Sequence, residues 1–365
     1  MQVNSNFKYR NKLILLFCLL LSLLIIYIYT KKHDWVENVY SRFWYPQFAT
    51  HLRKITGLLN WSIGDFLYGL GIVFFIYWLL KIIFRCLTQR HQQIDVFKLF
   101  LNVLLTALMI SFLFQLIWGI NYHRKGIAWQ LNLQDEKYTT VELSNLTDGL
   151  INKANVYKAM NIGEIQHDQK STVIFSDAVQ SFKEAAQSYS FLQYKNPSIK
   201  ASAFGDIASK AGISGYYNPL SGEAQINMNV PYFLLPFITC HEIAHQLGYA
   251  KEKEANFVAY LVAQESTNKQ LKYAAYLEMV LYANRNLFVI DSVLAKKKIK
   301  QISPAVKKDI EVIIAYNQQY KNEMEPIVST IYEWFLKGNQ QPKGMMSYDE
   351  VLQLMVAYHR KKIMQ

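Results

Sequence analysis

His241, Glu242 and His245 form His-Glu-x-x-His within the stretch from Thr239 to Phe257. On a helix, residues four apart share one face, so both imidazoles can be presented to a single zinc ion. Glu242 is offset around the helix, where it can reach a water on the metal as a general base. The metal still needs a third protein ligand. Glu252 stands seven residues after His245. In an unbroken helix it would sit about 10 Å further along the axis. An ion held at about 2 Å cannot be shared over that distance. If Glu252 is the ligand, the helix must break, and Gly248 permits a left-handed turn there. Glu254 competes, but it lies about 200° round a helix from Glu252, so the two cannot serve one ion. Asn256 shares Glu252's face and can hydrogen-bond a histidine ligand from behind. Cys240 points about 100° away from His241 and reads as core packing.

His241-Glu242-x-x-His245 followed by Glu252-x-x-Ala255-Asn256 resembles the gluzincin metallopeptidases, whose second helix carries Glu-x-x-[Ser/Ala]-Asp or a close variant. The resemblance implies zinc bound by His241, His245 and Glu252, with Asn256 supporting a histidine and Glu242 as catalytic base. Two departures stand out. Asn replaces the usual Asp, and the gap from His245 to Glu252 is shorter than in most gluzincins. Gly248 also matches the glycine of the metzincin pattern, but Lys251 occupies the place of that family's third histidine, so that assignment is rejected. The whole chain further resembles a bacterial domain-of-unknown-function family of membrane-anchored His-Glu-x-x-His proteins. This likeness speaks for the architecture and is silent on substrate.

The function expected is therefore a zinc-dependent metallopeptidase hydrolysing peptide or protein substrates near a membrane. The alternatives are a metal-stabilised membrane scaffold that binds a partner protein without catalysis, and a zinc hydrolase with a non-peptide substrate. A scaffold needs the two histidines but has no use for Glu242, which favours an enzyme. An oxyanion donor is also required. Tyr216, Tyr217, Tyr282, Arg285, Tyr348 and His359 are chemically able, and the sequence does not choose among them.

The elements that must carry this site begin in the membrane. Residues 13–29, 63–84 and 99–120 are apolar runs of spanning length. Lys8, Arg10 and Lys12 precede the first run, and Lys81, Arg85, Arg90 and Lys98 surround the second connection. By the positive-inside rule the N-terminus is cytoplasmic, and everything after Ile120 is extracytoplasmic, at a bacterial inner membrane. The first connection carries its own basic residues together with Trp35, Phe43, Trp44, Tyr45 and Trp61, which suit the headgroup region. Residues 45–59 read either as an amphipathic helix on the membrane or as a loop packed on the soluble domain. The net charge of +12 is spread along the chain, and no nucleic-acid motif accompanies it. The basic runs at 296–298 and 360–362 read as solvated helix faces. Three cysteines form no evident disulfide framework.

The chain thus divides into a membrane region, residues 1–120, and a soluble domain, residues 121–365. The fold class expected is mainly α, with three N-terminal transmembrane helices and an α-rich zincin-like domain. A small β element, residues 223–230, precedes the His-Glu-x-x-His helix. Thr139-x-x-Glu142 is a capping box opening a helix, Ser176 caps a second, and Ser303-Pro304 starts another. A helix from Lys269 is expected to run to about Leu294. Ser347-x-x-Glu350 is a second capping box. His241 lies far along the chain from any span, which puts the site in the soluble domain and argues against cleavage within the bilayer.

Overall fold

The computed structural model describes residues 9–88, 95–134, 136–162, 171–344 and 350–364. The longer helices are labelled in chain order, starting with α1 (Arg10–Thr30), α2 (Tyr45–Thr56), α3 (Ile63–Thr88) and α4 (Val96–Ile117). Helices α1, α3 and α4 are long and apolar enough to cross a membrane. The third starts and ends three residues before the expected 99–120. Asp95 caps it by accepting from the Lys98 amide at 2.9 Å, and Trp118 leaves helical geometry at the other end. Helices α1 and α4 pack together, and the polar intrusion Asn102 is satisfied by Lys12. The spanning window of α3 has no buried residue.

Between α1 and α2 the chain continues as a π-helical segment, Val36–Trp44. Helix α2 forms within the expected 45–59, but its inner face, Tyr45, Ala49 and Arg53, packs on the part of the chain that follows the third apolar helix. The element is thus a helix, as in the first reading, with the docking of the second.

The part that follows the third apolar helix is built on α5 (Thr140–Tyr157), α6 (Ser171–Ser188), α7 (Leu235–Gln246), α8 (Glu252–Glu265), α9 (Lys269–Ile290), α10 (Pro304–Tyr320), α11 (Met324–Gly338) and α12 (Val351–Met364). The Thr139–Glu142 capping box is present in both directions. Ser176 is inside α6, where its hydroxyl donates back to the Val173 carbonyl, so it caps nothing. Asp291 accepts from the Val293 and Leu294 amides and restarts the chain as a new helix, which ends α9 before Leu294. Ser347 and Tyr348 lie outside the described residues. Of the basic runs, Lys298 is buried against Asp148 and Arg360 grips Glu142 at 2.6 and 2.8 Å, so neither is merely solvated.

One apolar core joins α5, α6, α7, α8, α9 and α12. Helices α7 and α8 lie in its middle. Every residue of α8 from Ala255 to Ala263 is buried, as a helix segment apolar on nearly all sides must be. A three-stranded sheet, β1 (Ile199–Ala201), β2 (Gly215–Asn218) and β3 (Glu223–Ile226), has the order β1-β3-β2. Strand β3 pairs parallel with β1 and antiparallel with β2. The expected strand at 223–230 is thus four residues long and central, with all four side chains buried. The edge strand against α7 is β2.

Candidate metal centre

Helix α7 stops where its sequence permits. Gly248 has φ +86°, a region costly for any residue with a Cβ. The Gly248 amide donates to the His245 carbonyl at 2.9 Å and the Tyr249 amide to the Ala244 carbonyl at 3.1 Å. These two bonds are the Schellman closure, and they turn the chain back over the helix it has just left. Helix α8 then starts at Glu252, inside the same side-chain layer as the histidines.

The result is a convergence of three ligand-type atoms. His241 Nε2 and His245 Nε2 are 3.1 Å apart, and Glu252 Oε2 is 3.2 Å from the first and 3.6 Å from the second. Each histidine is fixed from behind. His245 Nδ1 donates to the Tyr249 carbonyl at 2.8 Å, and His241 Nδ1 lies 2.7 Å from Asn256 Oδ1. With Nδ1 protonated, both Nε2 lone pairs face each other and the carboxylate. Glu252 Oε2 has no hydrogen-bond donor among the described residues. Three electron-rich atoms so placed call for a cation between them. Four ligands at about 2.0–2.1 Å in a tetrahedron stand about 3.3 Å apart, which is the spacing seen. The residues therefore fit zinc. Charge agrees with shape: burial lowers the His245 pKa, but the Glu252 carboxylate outweighs it and raises the group to about 9, so at neutral pH Nε2 holds a proton unless a cation displaces it and takes the lone pair. Glu252 itself is held well below the usual carboxylate range, because the two histidines override its burial.

Glu242 is buried beside this group, with Oε2 unpaired among the described residues. Burial pushes its pKa up, partly offset by the two histidines. Its position depends on β2. A Cβ at Gly215 would stand 2.7 Å from Glu242 Oε1, so only glycine lets the strand come this close. Glu254 points elsewhere. It packs against Gly126 and does not join the three.

Several residues at the site carry no signal in the local sequence. Tyr332, on α11, donates to Glu252 Oε1 at 2.7 Å and so turns Oε2 towards the histidines. Glu278, on α9, is pushed up to about 7 by burial, offset by Arg285 and His241, which places a protonatable carboxyl near the first histidine. Tyr45 and Arg53 of α2 reach the end of α7. The Tyr45 hydroxyl is 3.2 Å from the Gln246 carbonyl, and Arg53 donates to that same oxygen at 3.1 Å. Arg124 donates to the Gly248 carbonyl at 3.1 Å and pairs with Glu37 at 3.0 Å. Both sides of that ion pair are buried. No spacing rule links residues 37, 45, 53 and 124 to residue 248.

His241 is far from any span along the chain but close to the end of one in space. Trp118 directly follows α4, and its ring centroid is 6.0 Å from that of His245. A second buried apolar cluster, including Tyr45, Trp118 and Tyr122, connects the membrane ends of the helices to the site. Of the oxyanion candidates, Tyr216 is committed to Asp65 at 2.6 Å and His359 faces Tyr260 at 3.1 Å. Tyr217 packs on Trp118 at 5.4 Å, beside the histidines. Arg285 acts electrostatically on Glu278.

Residues 40–356 match the model of the family described as protein of unknown function (DUF3810), and the chain belongs to that family. No curated protein and no solved structure matches it.

Proposed function

We propose that this member of the DUF3810 family is a membrane-anchored, zinc-dependent metallopeptidase that hydrolyses peptide or protein substrates at the membrane surface. The observation that carries this reading is the meeting of His241, His245 and Glu252, with Oε2 of Glu252 and Oε2 of Glu242 both lacking a hydrogen-bond partner among the described residues. Zinc, when bound, supplies a Lewis acid that brings the pKa of a water near 7. The chain's own residues do the rest. Asn256 and the Tyr249 carbonyl fix the imidazole tautomers, and Tyr332 fixes the carboxylate. Glu242 takes a proton from the attacking water at Oε2 and returns it to the leaving nitrogen. The edge of β2 beside Glu242 offers main-chain groups to an extended peptide, a pairing largely indifferent to side chains.

The cationic residues flanking the first two spans favour an extracytoplasmic site at a bacterial inner membrane. A C-terminal alkaline-phosphatase fusion should then be active; a silent fusion beside a maturing cytoplasmic fluorescent reporter reverses the orientation. The activity is tested with full-length protein in lipid nanodiscs, by metal content and peptide-library cleavage, next to Glu242→Gln. Stoichiometric zinc in both, with cleavage by the wild type alone, supports the reading. Equal cleavage by both, or a wild type free of zinc after zinc loading, sinks it.

A further inference from the structure

Helix α11 has two apolar faces. One packs on the protein: Leu336 is fully buried, and Tyr332 beside it reaches Glu252. The opposite face carries Ile327, Ile331 and Trp334, which are 61, 59 and 70% exposed. At 100° per residue these three fall within about 60° of one another, roughly opposite Leu336. The charged residues avoid this arc. Glu333 and Lys337 pair with each other at 2.6 Å along the flank.

Both ends of the helix are tied to the spans. Phe335 packs edge-on against Phe114 of α4 at 5.7 Å. Phe114 is in the last turn of that span, about 4.5 Å short of its end at Ile117. At the other end, Asn322 donates to the Lys210 carbonyl at 2.7 Å, and Glu325 packs on the Cβ position of Gly212 at 3.8 Å. That same segment sets Phe204 3.9 Å from the Cβ position of Gly69 in α3. Gly69 lies about 9 Å inside the span that begins at Ile63. The start of α3 and the end of α4 belong to one side of the bilayer. A helix strung between them at this depth meets lipid on any face the protein leaves open. Its outward residues are the apolar and Trp types that such a surface accepts. Trp35, Val39 and Phe43, just after α1, are also more than half exposed, so the remaining span end carries a similar fringe.

We propose that α11 lies in the boundary between headgroups and acyl chains, with Ile327, Ile331 and Trp334 immersed in lipid. Its inner face meanwhile holds Glu252 through Tyr332. One helix then both seats the molecule on the bilayer and shapes the candidate site, so that site faces the membrane surface. The seating stands apart from the peptidase reading, because lipid contact can be measured whether or not the protein cleaves anything.

The test uses the full chain in phosphatidylcholine–phosphatidylglycerol nanodiscs, with Cys18 and Cys86 replaced by Ala and the buried Cys240 retained. Single cysteines at 326, 327, 330, 331, 334 and 337 are labelled with a polarity-sensitive fluorophore. Each is quenched in turn by nitroxide on an acyl chain and by nitroxide in water. Lipid-borne quenching should follow the helical period and exceed aqueous quenching about threefold or more at 327, 331 and 334, as immersion of one face requires. Strong aqueous quenching at those three positions overturns the proposal. Protection from both quenchers also overturns it, since a second copy or another protein then covers the face.

Discussion

Replacing Glu37 with Gln tests whether the segment after the first span holds the turn between the two ligand helices. Glu37 accepts from Arg124 Nη2 at 3.0 Å, Arg124 Nε at 3.2 Å, the Lys125 amide at 3.1 Å and Gln130 at 3.2 Å. Arg124 in turn donates to the Gly248 carbonyl and lies 4.6 Å over the Tyr249 ring. Glu37→Gln leaves the guanidinium buried without its counter-charge, which costs about 3–5 kcal/mol. At roughly 2–4 °C per kcal/mol, Tm falls on the order of 10 °C. Arg124→Leu alone should be similarly harmful, and the double variant less harmful than the sum, because it removes both charges. Burial alone would raise the Glu37 pKa, but Arg124 and its other donors hold it below 4.5. A depressed carboxylate stabilises fully above its unfolded value and loses that stabilisation as pH falls through the folded one. The wild type should therefore lose this contribution only below about pH 4.5, and Glu37→Gln should lack that acid-dependent component. Thermal scans and denaturant titrations from about pH 2 to 8 measure both effects. A Tm shift under about 2 °C, with strictly additive single and double variants, would refute the reasoning.

Two further outcomes follow from the site. Tyr332→Phe keeps the ring and removes the bond to Glu252 Oε1, so zinc affinity should fall about 10–100-fold with the fold intact, measured by chelator competition beside thermal melting. Gly215→Ala places a methyl 2.7 Å from Glu242 Oε1, so turnover should fall by about 10²-fold or more while zinc content stays at the wild-type level.

Some of this was legible in the residues and some was not. The spans declared themselves by length and apolarity, and the Thr139 capping box by its own spacing. The break at Gly248 followed from distance: Glu252 could meet the histidines only if the helix ended. What stayed hidden was whatever depends on contacts distant in sequence. Tyr332 is one of 25 tyrosines, and nothing in its neighbourhood marks it as the partner of Glu252. Glu37, Tyr45 and Arg53 sit in a connection between spans, yet they brace the end of α7. A boundary at residue 120 therefore cuts through the packing that supports the site. Strand order was equally hidden: alternation at 223–230 marked a strand, but nothing in it showed that the strand would be central with all four side chains buried.

Zinc K-edge X-ray absorption on the full-length protein addresses the central claim most directly. The expected spectrum has a nitrogen and oxygen shell at about 2.0–2.1 Å with the outer-shell scattering of two imidazoles and no sulfur, as two histidines and a carboxylate require. Glu252→Gln should weaken zinc binding strongly, and Glu254→Gln should leave both occupancy and spectrum nearly unchanged. A sulfur shell, or the same spectrum and occupancy in the His241→Ala, His245→Ala double variant, would contradict the site.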